Sequence, residues 1–456
     1  MLGEMELEAG RVLDVLTNHG YKAYFVGGCV RDAVLGRSVK DVDIATSALP
    51  EQVMACFPRT APTGLQHGTV TVIMDEHTFE VTTFRKESAY EEFRRPKSVA
   101  YISSLTEDLR RRDFTMNAMA MDREGTLVDP FGGRKDLEAG LLRCVGAAEE
   151  RFGEDALRML RCIRFASAYG LEVEAGTWQA LLRQAPLLRH IAMERVRSEL
   201  QRMIEGAAPA RAVRLLLASR LWRHFKRQLT LPFEMWLARD RALDAVSALP
   251  QQRPRWVLLL LLLEAPADEV RTALRELTFA RADIGAVCAV LDLHAALAGQ
   301  HGIAPLSAAE RQWKLAVLQF GPQAAQDWLR IIEALHAVII GPEPAGADDP
   351  ACDPGPVAPA EPVRPACLPD SLLKSSLWLQ HGHRWLSEMP CKELKELALT
   401  GSELMKHLKR PGGPWLGEML SKLLELAALG KIDNKPDALI SAAKTMTITN
   451  TEVDAP

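Results

Sequence analysis

The sequence of 456 residues lacks the features that mark a membrane protein, a disulfide-rich protein or a zinc protein. Its eight cysteines include no C-x-x-C pair, so neither a disulfide framework nor a zinc site is expected. The longest strongly apolar run, residues 257–263, is too short to cross a bilayer and predicts a buried helix. The acidic N-terminus has no apolar stretch typical of a signal peptide. We therefore expect a cytoplasmic protein without a membrane partner, with reduced core thiols at Cys29, Cys144, Cys162 and Cys288.

A strong net charge is also missing. The formal charge is −4, with 48% hydrophobic and 25% charged residues, which is ordinary for a soluble globular protein. Because no basic field covers the whole chain, any site for nucleic acid has to be a local patch. The length is sufficient for several compact units.

The first informative stretch is a predicted strand, residues 23–26, that ends in Gly27-Gly28 and leads into a predicted helix beginning at Arg31-Asp32. Paired glycines at such a junction let the backbone approach a ligand closely, and a helix N-terminus favours a phosphate. A turn of this kind also occurs for packing alone, so this stretch by itself leaves both interpretations open.

A pair of carboxylates follows in Asp41-Val42-Asp43-Ile44, which predicts a strand. Strand side chains alternate, so both carboxylates project to one side and both apolar residues face the core. Two like charges held side by side repel each other, and a divalent ion such as Mg²⁺ removes the conflict. Two surface aspartates at a solvated strand end are the alternative, and the phosphate-type turn just upstream favours the metal interpretation.

These residues carry a family resemblance. The pattern Gly27-Gly28-x-x-Arg31-Asp32 followed by Asp41-x-Asp43 resembles the signature of the nucleotidyltransferase superfamily to which polymerase beta belongs. Residues 24–46 resemble the branch that holds bacterial tRNA CCA-adding enzymes and bacterial poly(A) polymerases. The resemblance implies that Asp41 and Asp43 hold Mg²⁺ and are catalytic. It also implies that Gly27, Gly28 and Arg31 hold a triphosphate, with Asp32 as a supporting residue.

Two β-rich runs, residues 69–74 and 78–84, predict a hairpin. Glu80 on the second run is either a third acidic group near the metal or a solvent-facing strand residue, because alternation alone does not place it. Residues 85–97 predict a mobile loop. In the resembling family a flexible loop at this position helps the enzyme change from adding C to adding A, and an ordinary surface loop is the alternative.

The run Arg110-Arg111-Arg112-Asp113 with Asn117 closely resembles a second motif of the family. Consecutive arginines usually mark a solvated face, but arginine also suits forked contacts with phosphate. The resemblance implies that Arg112 contacts the incoming nucleotide and that Asp113 and Asn117 brace the site.

Residues 154–165 show a helical pattern that includes Asp155, Arg158, Arg161 and Arg164. An ion pair between Asp155 and Arg158 on an exposed helix face, worth only about 0.2–0.5 kcal/mol, is the structural interpretation. The pattern also resembles the family's Glu-Asp-x-x-Arg motif, whose Asp and Arg act as an amino-acid template. A carboxylate only accepts hydrogen bonds and a guanidinium only donates them. The pair therefore complements cytosine and adenine, which present an amine donor beside a ring-nitrogen acceptor. It opposes uracil and guanine, which present a carbonyl beside an N–H. Arg161 and Arg164 would support the base or the triphosphate.

The rest of the chain predicts helices. We expect an α+β nucleotidyltransferase head with a small mixed sheet and helices, followed by an all-α neck, body and tail. The predicted boundaries are 1–140 for the head, 141–206 for the neck, 207–340 for the body, 341–370 for a linker rich in proline and alanine, and 371–456 for a tRNA-binding tail with a disordered end.

The resemblance implies template-independent addition of C, C and A to the 3′ end of tRNA from CTP and ATP, with Mg²⁺ as cofactor. An A-only or CC-only enzyme and a poly(A) polymerase of the same family are the nearest alternatives. Two further alternatives come from outside this family: an RNA-binding protein that has lost catalysis, and a nucleotidyltransferase that acts on small molecules. The sequence leaves the oligomeric state open, a homodimer included.

Overall fold

A computed structural model describes residues 4–87, 90–91, 95–96, 99–298, 305–340, 372 and 376–453. The chain divides into two compact units, Met1–Leu229 and Thr230–Pro456, which we describe separately. The predicted linker, residues 341–370, and the last three residues lie outside the described residues. The finer domain boundaries stay a prediction.

The first unit is built on a mixed sheet. The strands among its described residues are β1 Ala23–Val26, β2 Asp43–Thr46, β3 Thr60–Gly64, β4 Thr69–Ile73, β5 Thr78–Thr83, β6 Arg85–Glu87, β7 Tyr90–Glu91, β8 Arg95–Pro96, β9 Val99–Tyr101, β10 Ala120–Met121, β11 Leu127–Val128, β12 Leu141–Leu142 and β13 Glu172–Val173. The sheet has the order β11-β10-β1-β2-β5-β4-β3. Its neighbouring strands are antiparallel except for β2 and β5, which are parallel.

Helices alternate with these strands and predominate in the chain after β11. Those of the first unit are α1 Glu4–Asn18, α2 Gly28–Val34, α3 Pro50–Cys56, α4 Leu105–Arg110, α5 Gly133–Glu138, α6 Ala148–Glu154, α7 Leu157–Tyr169, α8 Ala175–Gln184, α9 Met193–Glu205 and α10 Pro209–Ser219. Short 3₁₀ helices are Leu65–His67, Thr115–Asn117, Ala185–His190 and Leu221–His224.

The described part of the second unit is helical. Its helices are α11 Met235–Ala238, α12 Asp240–Ala248, α13 Gln252–Leu261, α14 Ala267–Glu276, α15 Arg281–Ala298, α16 Leu306–Phe320, α17 Pro322–Ile340, α18 Ser376–Glu388, α19 Gly401–Leu408, α20 Pro414–Ala428 and α21 Pro436–Val453, with a 3₁₀ helix at Leu394–Glu396. The predicted fold class, an α+β head followed by helices, is confirmed.

The hydrophobic cores follow the sequence patterns. In the first unit Val26, Ala45 and Phe84 pack with Leu109 and Val145, so the strands that carry the Gly-Gly turn and Asp43 rest on a rigid base. In the second unit Trp313 and Trp328 are fully buried, with ring centroids 5.9 Å apart. The four cysteines predicted as core thiols are free and buried.

The predicted mobile loop, residues 85–97, needs a correction in its secondary structure, whereas its mobility stays a prediction. Its described parts form short antiparallel pairs, β6 with β9 and β7 with β8, instead of an irregular loop. Polar, mixed-charge composition hid these strands, because a strand without an apolar face produces no alternation. The other residues of the predicted loop, 88–89, 92–94 and 97, lie outside the described residues.

Candidate active site

An open cleft of about 840 Å³ lies in the first unit, and it brings together most of the residues that the sequence predicts. The turn after β1, the approach to β2, the segment after α4, and helices α7 and α9 contribute side chains. The lining residues are Gly27, Gly28, Arg31, Asp41, Asp43, Arg111, Arg112, Asp113, Asn117, Asp155, Leu157, Arg158, Arg161, Arg164, Phe165, Arg195, Glu199 and Arg202.

The cleft is a basic site within an acidic chain. Eight arginines and five carboxylates line it, although the whole chain carries a formal charge of −4. A cleft lined by an excess of one sign concentrates the opposite charge, so this one favours a polyanion such as a triphosphate. Its volume lies within the range of roughly 300–1,000 Å³ common for ligand sites.

Gly27 forms the sharp turn at the floor of the cleft. Gly27 has a φ of +76° and lies directly before α2. Helix α2 begins at Gly28, three residues before the predicted start at Arg31. A Cβ on Gly27 would lie 2.8 Å from Arg112 Nη1 and 3.9 Å from Asp43 Oδ2. The glycine is therefore required both for the backbone conformation and for the approach of the Arg112 guanidinium.

Asp43 is the first residue of β2, and Asp41 lies just before the strand, so the predicted strand starts two residues too early. The predicted alternation is nevertheless present, because Asp41 and Asp43 are exposed whereas Val42 and Ile44 are buried. Asp43 is paired in register with Glu80 of the parallel strand β5. In-register neighbours project from the same face of a sheet, so Glu80 lies beside Asp43. Glu80 is also exposed, and its role as a third acidic group near the metal stays a prediction.

Electrostatics single out Asp43 within this group. Although its carboxylate reaches the solvent of the cleft, the protein around it raises its pKa by desolvation, an effect that Arg112 opposes. The nearby carboxylates of Glu80 and Asp41 raise the pKa of Asp43 further. Negative charge thus accumulates around Asp43.

The carboxylate oxygens of Asp41 and Asp43 suit a hard divalent cation. Mg²⁺ is usually bound by one or two carboxylates and takes its remaining ligands from water and substrate phosphates. Within the part of the chain that the structure describes, no three His, Cys, Asp or Glu side chains are already grouped as metal ligands. A site of two carboxylates completed by substrate phosphates fits this arrangement.

Arg31 faces the cleft with several of its donors already engaged. Its Nε and Nη2 donate to Asp32 at 3.0 Å each, and its Nη1 donates to Asn117 Oδ1 at 2.7 Å. The guanidinium also lies 4.3 Å from the ring centre of Tyr169, whose hydroxyl donates to Asp32 Oδ1 at 3.0 Å. These contacts fix Arg31 in place, and its contact with a triphosphate stays a prediction.

Asp113 connects the segment after α4 to helix α7. Arg161 donates from Nε and Nη2 to Asp113 Oδ2 at 2.8 and 2.6 Å, while Asn117 Nδ2 donates to Oδ1 at 3.1 Å. Burial alone would raise the pKa of Asp113, but Arg161, the Asn117 amide and Arg158 together lower it to about 2. Asp113 therefore remains ionised across the physiological pH range and keeps Arg161 oriented.

Asp155 does not lie on a continuous helix, so the predicted helical pattern is wrong at this residue. Helix α6 ends at Glu154, α7 begins at Leu157, and Asp155 is extended with φ −136° and ψ 104°. Its Oδ1 accepts the backbone N–H of Leu157 at 3.1 Å, a local contact of the kind that competes with helix. Its Oδ2 accepts Arg195 Nη2 at 2.8 Å.

Arg158 lines the same cleft but is almost fully buried. Its Nη1 donates to Glu154 at 2.5 Å and to the Arg151 carbonyl at 3.0 Å, and its Nη2 donates to the Arg111 carbonyl at 2.9 Å. Arg158 thus joins α6, α7 and the segment after α4. The structure brings Asp155 and Arg158 to one cleft, each with a charged partner of its own.

Sequence reasoning missed the contribution of α9 to the cleft. Glu199 is 2% exposed and accepts Arg164 Nε at 2.7 Å and Arg202 Nη1 at 3.1 Å. Arg195, Glu199 and Arg202 are spaced i, i+4, i+7, so they share one face of the helix. That spacing opposite an apolar face is a signal that could have found them. Other lining residues missed as site residues are Arg111, Leu157 and Phe165.

The mixed-sheet head and the carboxylates beside a Gly-Gly turn in an arginine-rich cleft define a nucleotidyltransferase. Family models agree with this class. Residues 23–143 match the poly A polymerase head domain, residues 170–231 match the probable RNA and SrmB-binding site of polymerase A, and residues 377–443 match the putative tRNA nucleotidyltransferase domain 2.

Relatives that match nearly the whole chain narrow the assignment from the class of nucleotidyltransferases to one family. The CCA-adding enzyme of Geobacillus kaustophilus is 36% identical over 431 residues, which cover 94% of each chain. The crystal structure of the Bacillus stearothermophilus CCA-adding enzyme in complex with CTP is 32% identical, with a TM-score of 0.74 over 99% of this chain and 100% of that one. The chain belongs to the family of CCA-adding enzymes.

A more distant structure shares the fold alone. The Thermotoga maritima CCA-adding enzyme complexed with tRNA is 18% identical and aligns with a TM-score of 0.59 over 98% of this chain and 96% of that one. Among the described residues, no helix is long and apolar enough to cross a membrane.

Proposed function

We propose that this chain adds C, C and A to the 3′ end of tRNA from CTP and ATP, releases pyrophosphate, and needs no nucleic-acid template. The observation that carries the proposal is that one cleft holds both the carboxylates suited to nucleotidyl transfer and the Asp155–Arg158 pair suited to reading a base. Membership in the CCA-adding family supports tRNA as the acceptor. A cytoplasmic location stays a prediction.

The acidic end of the cleft would support the chemistry. Asp41 and Asp43 would hold Mg²⁺, with Glu80 beside Asp43 adding negative charge. When bound, the ion would neutralise developing charge on the phosphates and favour the ionised 3′-hydroxyl. The protein's own part is to hold the carboxylates in place, and the strand pairing of β1, β2 and β5 does so for Asp43 and Glu80.

The basic side of the cleft would hold the triphosphate. Arg112 lies against Gly27 and near Asp43, and it therefore occupies the space between the turn and the carboxylates. Fixed guanidinium groups in the cleft would stabilise the charge that develops on a leaving pyrophosphate without having to reorganise. Asp113 and Asn117 would act by keeping Arg161 and Arg31 in place.

Base choice would come from Asp155 and Arg158. A carboxylate offers about four acceptor positions, so Asp155 retains capacity for an exocyclic amine after accepting Leu157 N–H and Arg195. Cytosine and adenine present an amine donor beside a ring-nitrogen acceptor, whereas uracil and guanine present a carbonyl beside an N–H. Each mismatched buried contact costs about 1–3 kcal/mol, so two of them reject a wrong base by orders of magnitude.

A local basic segment supports RNA as the partner. Residues 206–229 contain six lysines and arginines and no aspartate or glutamate. Arg220, Arg223, Lys226 and Arg227 of this segment are exposed. Phosphate contacts by such side chains supply most of the sequence-independent affinity for nucleic acid.

The test is a primer-extension assay on tRNA that lacks CCA. The chain is incubated with Mg²⁺ and with CTP, ATP, UTP or GTP alone, or with CTP and ATP together, and the 3′ ends are sequenced. We expect CC from CTP alone and CCA from the mixture. Termination at CC with both nucleotides, addition of A only to ends that already carry CC, or long A tails would support the corresponding alternative enzyme.

A further inference from the structure

A buried carboxylate behind the cleft has no part in the chemistry described so far. Asp108 on α4 is 1% exposed, and its Oδ1 accepts Arg111 Nε at 3.0 Å. Its Oδ2 lies 3.8 Å from Arg112 Nη2 and has no hydrogen-bond partner among the described residues. Asp108 therefore faces two adjacent arginines that both line the cleft.

Asp108 is itself fixed from a second element. Its Oδ1 also accepts the backbone N–H of Arg85, the first residue of β6, at 3.1 Å. Two neighbouring guanidinium groups repel each other, and a buried carboxylate between helix and strand offsets that repulsion. Arg112 also donates from Nη1 to the Asn117 carbonyl at 3.4 Å and interacts with Asp113 and Asp43. Asp108 differs from these groups in the contacts described above, because it lies against both Arg111 and Arg112.

We infer that Asp108 is a positioning residue for the incoming nucleotide, because it holds Arg111 and Arg112 side by side toward the cleft and so sets their affinity for the triphosphate. The inference rests on the proposed function in one respect, namely that these arginines bind the phosphates of the nucleotide. An asparagine at this position would keep the shape of the side chain but would remove the charge and could point an N–H at Arg112.

The experiment measures equilibrium binding of CTP and of cytidine, which lacks phosphate, to the full chain without tRNA. We expect Asp108→Asn to weaken CTP binding about tenfold and to change cytidine binding, measured by competition, less than about twofold. Asp108→Glu, which keeps the charge, is expected to bind CTP more tightly than Asp108→Asn. Asp327→Asn is the matched control, because Asp327 is also 1% exposed and paired with an arginine but belongs to the second unit.

The outcomes separate positioning from general destabilisation. If Asp108→Asn lowers the melting temperature, the further rise in Tm that saturating CTP produces still reports its nucleotide affinity. Parental CTP affinity in Asp108→Asn, an equal loss for CTP and cytidine, or a glutamate variant no better than asparagine would overturn the inference. A parental chain that binds CTP but does not extend tRNA would refute the proposed function and leave this inference standing.

Discussion

Asp43 and Glu80 are direct neighbours on the two parallel strands of the head, β2 and β5. The 36 residues between them contain α3 and the β3–β4 pair, so only the completed sheet brings the two carboxylates together. Glu80 raises the pKa of Asp43, which shows that the two charges interact. The carboxylates at positions 41 and 80 thus both act on Asp43, which is one of the two residues proposed to hold Mg²⁺.

The first prediction concerns these carboxylates. Asp43→Asn or Asp41→Asn should lower nucleotide incorporation by at least roughly a thousandfold, because metal-assisted charge stabilisation is worth several kcal/mol. Binding of tRNA should remain close to parental. Glu80→Gln should have a smaller effect that a higher Mg²⁺ concentration partly restores.

The control for this series is Glu76→Gln, an exposed carboxylate at the end of the same hairpin. Steady-state incorporation is measured across a Mg²⁺ titration, and tRNA binding is measured by filter retention. A variant that lacks both aspartates and still shows near-normal Mg²⁺-dependent turnover would refute the metal assignment.

A second prediction links Asp113 to acid stability. The pKa of Asp113 is lowered from its ordinary value of 3.8 to about 2 in the folded chain, so the ionised form stabilises the fold. A group with a lowered folded pKa contributes stability above its unfolded pKa and loses it as the pH falls through the folded value. The contribution, on the order of 2 kcal/mol, should therefore be complete above about pH 4 and should disappear between about pH 4 and pH 2.

The measurement compares the free energy of unfolding of the parental chain with that of Asp113→Asn at several pH values. The variant should be less stable at neutral pH, and the difference should shrink as the pH falls through this window. A difference that stays constant down to pH 2 would show that the Asp113 carboxylate is not preferentially ionised in the native state.

A third prediction concerns residues 90–96, which include the β7–β8 pair. In the resembling family, a flexible segment at this position, distant from the metal carboxylates, helps the enzyme change from adding C to adding A. Shortening the segment should therefore spare addition of CC and impair addition of the final A. The substrate is tRNA that already ends in CC, and the rate of A addition is compared with the rate of C addition on tRNA without CCA. An unchanged rate of A addition would show that the segment has no such role here.

Much of the head could be predicted because its signals are local. The strand at residues 23–26, the Gly-Gly turn and the hairpin of β4 and β5 all follow from alternation and turn residues within a few positions. The side on which Asp41 and Asp43 project also follows from alternation. These features depend on residues that are close together in the sequence, so local sequence patterns are sufficient to predict them.

Other parts of the site depend on contacts between distant segments. The helical period continues across Asp155, and only its contacts with Leu157 N–H and Arg195 show why the helix is interrupted there. The charged face of α9 has the composition of a solvated surface, and the burial of Glu199 against Arg164 depends on packing between α7 and α9. Pairing of Glu80 with Asp43 required the parallel register, which no local pattern specifies.

The central claim is that protein side chains, with no nucleic-acid template, choose the base. It is tested most directly by Asp155→Ala, assayed as kcat/KM for CTP, ATP, UTP and GTP on matched tRNA ends. Loss of the carboxylate leaves Arg158 as a donor but removes the group that opposes the uracil carbonyl. Discrimination between CTP and UTP should therefore fall by about 1–3 kcal/mol, roughly ten- to a hundredfold.

Arg195→Ala is the companion variant, because Arg195 holds Asp155 through the hydrogen bond at 2.8 Å and removing it keeps the carboxylate. It should lower discrimination less than Asp155→Ala does. We expect Asp155→Ala to raise UTP use relative to CTP more than it slows CTP incorporation. An equal loss of activity with all four nucleotides, or an unchanged CTP-to-UTP ratio, would show that Asp155 is only an ion-pair partner and would contradict the account.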